Sequence, residues 1–334
     1  MVNRIVKALL LLSTHMLVNE PIVAAQTTVH PVIAEAQAVA WNSPNVQHVY
    51  GLPNVKANEK GSLTVNTDGL KFTGKSSHSE IPLQSIRAVS AGNQRVELWG
   101  LKGRILRMGI PDGGGMVAAM LLQHKVDMLT VEFSDRNGGY HGVVFDLPAN
   151  EADRAVQVFA KMPARQDETK DSACRDGWVR PNTVLVSAPN WDQAKVPAEY
   201  RTLVYEHMID RLRHMKGIDR VYRDGETAAQ QGCPQYTVGL SITGFKPGSS
   251  VQRAWTGPIG MFVGTTQMVF DATISDASGK LNLHKETKAT MRGETESTNV
   301  ADGIAKKLAK QFSTARKKGA ESNLARGPEP ERAS

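Results

Sequence analysis

The most explicit chemical signature in the chain is Gly69-Leu70-Lys71-Phe72-Thr73-Gly74-Lys75-Ser76, which matches the phosphate-loop pattern G-x-x-x-x-G-K-[ST] letter for letter. That pattern holds phosphate only when a buried strand precedes it and a helix follows, so that backbone N–H groups and the helix N-terminus converge on the oxygens. Neither neighbour fits here. Asp68-Gly69 supplies the positive φ of a tight hairpin turn, the middle of the motif reads as a strand, and Pro82 is too close for a helix to begin at Ser77. No nucleotide is expected to bind at this point.

Other chemistry-bearing groups are sparser. Asp112-Gly113-Gly114-Gly115 before Met116–Leu122 would leave open N–H groups at a helix start, an anion site in one reading and a turn capped by Asp112 in the other. His207 and His214 share one helix face but stand two turns apart, too far to ligate one metal. There is no Ser-His-Asp spacing, no nucleophile elbow, no His-Glu-x-x-His and no paired carboxylates at a catalytic spacing. No catalytic residue, metal site or cofactor is therefore assigned. The stretch Ala254–Gly264, with Arg253 beside it, gathers Trp255, Ile259, Met261 and Phe262 among glycines without alternation. It is an interaction surface for a partner or membrane in one reading, and in the other a segment whose glycines allow close core packing.

The elements that must position these groups begin after residue 25. Arg4 and Lys7 precede the apolar run Ala8–Val18, and Val23-Ala24-Ala25 supplies small residues, the layout of a secretory signal cleaved after Ala25. The run is shorter than the ~20 residues a spanning helix needs. An exported chain meets an oxidising compartment. Cys174 and Cys233 could then close a loop of roughly 60 residues, worth about 3–4 kcal/mol on the chain-entropy model, or remain two buried thiols. With two cysteines and no His pair at ligand spacing, zinc is not expected.

Residues 26–45, with Pro31 and Pro44, read as a tether. From 46 to 163 the pattern is short strands and one helix. Leu63–Val65 and Leu70–Phe72 flank an Asp-Gly turn, followed by strands at Ser79–Ile81, Ile86–Ser90, Arg95–Trp99, Ile105–Ile110, Met128–Ser134 and Gly142–Asp146. A closing helix over Asn150–Lys161 takes Asn150 as N-cap. Residues 164–176 form a polar linker. Residues 177–317 then alternate strand Thr183–Ser187, helix Pro197–Met215 ended by Gly217, strand Gly217–Tyr222, short helix Glu226–Gln231, strands at Tyr236–Thr243, Thr266–Ser275 and Leu281–Met291, and helix Thr298–Lys317. In Thr266–Ser275, Met268, Phe270, Ala272 and Ile274 share one face, and Asp276–Gly279 turns the chain. The end, 318–334, reads as a disordered basic tail. The fold class is α+β: an antiparallel barrel with a C-terminal helix, then an α/β sandwich with a mostly antiparallel sheet and its helices on one side.

The strands of 46–163 and their closing helix resemble the pleckstrin-homology-like superfold, most closely over Ser62–Ser90. In the second half, Gly248-Ser249, Arg253, the spaced glycines Gly257, Gly260 and Gly264, and the hairpin closing on Gly279-Lys280 resemble the exported bacterial family known as domain of unknown function 4410. That resemblance covers roughly Thr183–Phe312 and implies an envelope protein without assigned activity. The lipid-attachment cysteine that many relatives carry is absent.

The formal charge of +7 at pH 7 is concentrated near the end of the chain, in Lys306, Lys307, Lys310, Arg316, Lys317, Lys318 and Arg326. The expected role is non-catalytic: an exported binding or assembly module whose partner is an envelope protein or membrane surface, with no nucleic acid expected. A ligand or reaction in a cleft between the halves is one alternative, and attachment of the basic end to anionic surfaces another.

Overall fold

The computed structural model describes residues 40–97, 123–162, 178–190, 196–226, 232–246, 266–291 and 297–325. The segments expected to be a signal, a linker, a strand at Ile105–Ile110, a helix within Asp112–Leu122 and a short helix after Glu226 lie outside them. Among the described residues the chain is α+β, with two sheets and three α-helices.

The first sheet contains β1 (Trp41–Tyr50), β2 (Glu59–Val65), β3 (Gly69–Gly74), β4 (His78–Pro82), β5 (Ile86–Glu97), β6 (Gln123–Ser134) and β7 (Tyr140–Leu147). They run antiparallel in the order β4-β3-β2-β1-β7-β6-β5. The end strands β4 and β5 do not pair among the described residues, so the sheet is not the closed barrel expected. Gly69–Gly74 of the phosphate-loop lookalike form β3, paired with β2 on one side and β4 on the other, and Lys75 and Ser76 lie in the bend that follows.

β1 begins inside the segment expected to be a tether. Its pairing with β2 slips between Ser43 and Val46, so Pro44, which has no N–H, sits at the irregularity instead of in the ladder. Trp41, Val46 and Val49 are buried, which makes this stretch part of the core. β5 runs unbroken through the two strands expected at Ile86–Ser90 and Arg95–Trp99, ending at Glu97. Helix α1 (Glu151–Ala160) packs Ala152 and Ala155 on the first core. Asn150 stands at the N-cap position as expected, but its backbone is left-handed at φ +68° and its side chain makes no capping bond.

The second sheet contains β8 (Val179–Val186), β9 (Arg220–Arg223), β10 (Cys233–Lys246), β11 (Thr266–Asp276) and β12 (Asn282–Met291), in the order β12-β11-β10-β8-β9. β10, β11 and β12 form the antiparallel ribbon the alternation predicts, with Met268, Phe270, Ala272 and Ile274 buried on one face. β8, however, is parallel to both β10 and β9. Helix α2 (Ala198–Arg213) separates β8 from β9 in sequence, and such a crossover makes its flanking strands parallel.

Helix α3 (Ser297–Ala325) buries Ile304, Leu308 and Phe312 as predicted. It runs eight residues beyond the expected Lys317, so 318–325 is helical and not a disordered tail. Helix α2 differs most from its predicted one-sided pattern: every residue from Thr202 to Ile209 is buried. One side packs on β6 and β7 of the first sheet, and the others meet β9 and α3. The described residues, from 40 to 325, accordingly belong to one compact unit.

Candidate functional site

The chemistry-bearing groups that the fold brings together lie where α2 and β9 meet the first sheet. Glu206 of α2 receives Arg223 Nη1 on Oε1 at 2.8 Å and Nη2 on Oε2 at 2.7 Å, a two-pronged pair with both side chains 5% exposed. Arg223 Nη1 also donates to Tyr140 O at 2.9 Å, and Gly142 N–H donates to Glu206 Oε1 at 3.0 Å. One ion pair thus fastens the β6–β7 hairpin to both α2 and β9. Burial lowers the guanidinium's pKa, but the Glu206 carboxylate outweighs it and keeps Arg223 protonated. Gly142 is glycine because α2 comes so close: a Cβ there would lie 2.2 Å from Thr202 Cγ2.

A second pair lies beside the first. Arg201 Nη2 donates to Glu132 Oε1 at 2.7 Å, and Tyr140 Oη donates to Glu132 Oε2 at 3.0 Å. Burial, and then the Glu132 charge, pushes the Tyr140 phenol well above its ordinary pKa. Tyr205 Oη accepts Asp224 N–H at 3.1 Å and donates to Val186 O at 3.3 Å, tying α2 to β8 and the turn after β9.

Towards solvent, Asp135 in the β6–β7 turn accepts N–H bonds from Asn137 and Gly139, each at 2.8 Å, and lies 3.2 Å from His141 Nε2. Burial raises the Asp135 carboxyl, but His141 and the two N–H groups outweigh it and hold the pKa below the ordinary value. His141 stacks on Phe133 at 5.2 Å. Outside this layer opens a cleft of about 310 Å³, walled by Asp135 and Asn137 from the first sheet and by Arg213, Asp219, Arg220 and Glu226 from around β9. Its carboxylates already have partners: Glu226 accepts from Arg220 and from Arg223 N–H at 2.8 and 3.0 Å, and Asp219 accepts from Asn182 at 3.2 Å. The cleft can offer hydrogen bonds and guanidinium charge to a small polar ligand. Among the described residues, no three His, Cys, Asp or Glu side chains come together to hold a metal.

Few of the residues singled out by sequence fall in this region. Cys233 opens β10 beside Val179, while Cys174 lies outside the described residues. The interaction stretch, Arg253, Trp255, Ile259, Met261 and Phe262, and the motif residues Gly248, Ser249, Gly257, Gly260 and Gly264 also lie outside them. Gly279 is described: its φ of +70° and the absence of any atom within 4 Å of a Cβ assign it to turn geometry alone. His207 and His214 diverge. His207 is buried and stacked on Tyr50 at 4.1 Å, whereas His214 is exposed, with Nδ1 2.8 Å from Asp210 O. Glu206 and Arg223 escaped sequence reasoning, although a carboxylate inside Leu203-Val204-Tyr205-Glu206-His207-Met208-Ile209 was a signal that could have found them.

No protein-family model and no curated protein matches the chain. Solved structures to which it is similar include a point-substituted PelC dodecamer from Paraburkholderia phytofirmans, at 16% identity and TM-score 0.30, covering 40% of this chain and 90% of that one. Another is the PelC dodecamer from the same organism, at 13% identity and TM-score 0.30, covering 42% and 93%. A third is an uncharacterized protein, at 12% identity and TM-score 0.24, covering 41% and 92%. Likenesses at these scores carry no argument about function.

Proposed function

We propose that the chain is an exported, non-catalytic binding or assembly module of a bacterial envelope. The observation that carries this reading is the seam between the sheets. Glu206, Arg223, Glu132, Arg201 and Asp135 are among the charged groups gathered there, and each is bound to another residue of the chain. Charges paired with one another within the chain suit a rigid scaffold better than a reaction centre, whose groups must stay open to substrate.

Within this reading the first sheet and α1 form a pleckstrin-homology-like module, supported by the antiparallel strand order and the helix that follows β7. The second sheet belongs with domain of unknown function 4410, supported by the β10–β12 ribbon and the left-handed Gly279 in its hairpin. Export rests on the Ala8–Val18 run and Val23-Ala24-Ala25. A Cys174–Cys233 disulfide accompanies it, as an oxidising exported compartment permits. The test is capture of cross-linked partners by the chain in an envelope fraction, with the mature N-terminus sequenced. Recovery from cytosol with Met1 intact, or substrate turnover by the purified chain, would overturn the reading.

A second reading, a small polar ligand held between the halves, is favoured by the position of the cleft between the β6–β7 turn and β9. Thermal shifts with sugars, amino acids and carboxylates should reveal a stabilising compound whose effect Arg213→Ala removes. No shift with any of these would exclude it for those classes.

A further inference from the structure

We infer that the exposed face of α3 is a docking surface for an anionic lipid bilayer, held there by charge alone. This gives a face and a partner to the binding role proposed above, and rests on that reading. Between Asp302 and Glu321 the chain carries Lys306, Lys307, Lys310, Arg316, Lys317 and Lys318 and no Asp or Glu. Helical phase separates this stretch cleanly. Ile304, Leu308, Phe312 and Ala315 are buried against the core, and all five lysines are exposed. Along the helix axis they span roughly 18 Å.

The lysines stand on a fixed support. Arg211 donates to Asp302 near the start of α3, Gln311 donates to Thr287 of β12 at 2.6 Å, and Arg316 donates to the carbonyls of Gly217 and Lys216 at 2.7 and 2.8 Å. Lys285 extends the charge onto β12. It pairs with buried Ala272, so it projects from the face of the sheet that α3 covers, whereas Glu286 pairs with Asp271 on the opposite face.

Three features select a bilayer among polyanions. Both terminal nitrogens of Arg316 are engaged by backbone carbonyls, leaving this stretch no guanidinium fork for a bidentate grip on a single phosphate or carboxylate. Its one aromatic residue, Phe312, is buried, so nothing in the stretch can stack a base. What remains is a row of ammonium groups, which suits the spread charge of a headgroup plane. Because the apolar residues face the core, the helix does not insert as an interfacial helix does. Each lysine near the surface then contributes about fivefold in affinity.

The test is co-sedimentation of the full chain with vesicles of phosphatidylglycerol and phosphatidylcholine, and with phosphatidylcholine alone. Binding is expected only with the anionic lipid, should weaken as salt rises, and should fall roughly a hundredfold in K306Q/K310Q/K317Q. An equal change of net charge on the first sheet, K56Q/K60Q/K71Q, should leave it intact, and both variants should melt like the parent chain. Binding that survives the α3 changes, or is lost equally in the first-sheet variant, overturns the inference. So does retention on dextran sulfate through the same lysines as tight as on vesicles, which would make the partner a soluble polyanion. If vesicle binding fails while envelope proteins are still captured, this inference falls and the binding-module reading stands.

Discussion

Replacing Glu206 with alanine leaves the Arg223 guanidinium, 4% exposed, without its carboxylate, and removes the acceptor of Gly142 N–H. Breaking one side of a buried pair costs about 3–5 kcal/mol, because the remaining charge stays desolvated and unopposed. Against a total stability of ~5–15 kcal/mol, either Glu206→Ala or Arg223→Ala should lower the urea midpoint markedly, and the melting temperature by roughly 10 °C. The double replacement Glu206→Leu with Arg223→Met removes both charges while filling the space. It should cost less than the two single changes together, by ~2–3 kcal/mol of coupling. It should not restore the parent stability, since Tyr140 O and Gly142 N–H lose partners at about 1–3 kcal/mol each. Urea unfolding followed by circular dichroism and tryptophan fluorescence measures all four proteins. Single changes costing under ~1 kcal/mol, or a strictly additive double, would refute the claim that this pair clamps the two sheets.

Three further outcomes are expected. Gly142→Ala should destabilise by ~1–3 kcal/mol because its Cβ would meet Thr202 Cγ2 at 2.2 Å, and Thr202→Ser, which deletes that methyl, should recover much of the loss in thermal melts. Burial lifts the Glu199 carboxyl above its ordinary pKa, against its own backbone N–H and Arg201, so the folded state keeps a proton the unfolded state has released and stability falls as pH rises through that window. Glu199→Gln should therefore raise the melting temperature at neutral pH and change it little in acid. His48 accepts Leu52 N–H on Nε2 at 3.0 Å, which leaves Nδ1–H to donate to Lys56 O at 2.9 Å, and burial pulls its pKa below 6.5. Its contribution is complete above pH 6.5 and declines as pH falls through the folded value, because only the unfolded state takes up the proton in that window; His48→Gln should flatten the curve between pH 7.5 and 5.

The parts of the fold legible in sequence are those buried on one side. Met268, Phe270, Ala272 and Ile274 alternate because the opposite face of β11 is polar apart from Val269, and Ile304, Leu308 and Phe312 recur because lysines occupy the other side of α3. β1 was hidden by Pro44, whose missing N–H argues against a strand unless the ladder slips there, and it does. Helix α2 was readable as a helix but not as an interior one. Its predicted stripe of Leu203, Val204, Met208 and Leu212 is real, yet Thr202, Glu206 and His207 are buried too, because β7, more than fifty residues earlier, covers that side. The seam was illegible for the same reason: Glu206 takes its meaning from Gly142 and Arg223, which no local period connects to it. The charged end was legible as composition, while its continuation as helix to Ala325 was not.

Because α2 has protein on every side over its middle turns, neither half of the chain is a self-sufficient fragment. Cut near residue 162, the N-terminal piece would bare Met128, Tyr140 and Val144, which belong to the same apolar cluster as Leu203, Tyr205 and Met208. The complementary piece would carry Glu206 and Arg223 without the hairpin that closes over them. Folding of the whole must therefore wait for synthesis to reach α3, and a deletion series intended to separate the two modules should yield aggregates where a linker-joined pair would give two soluble proteins.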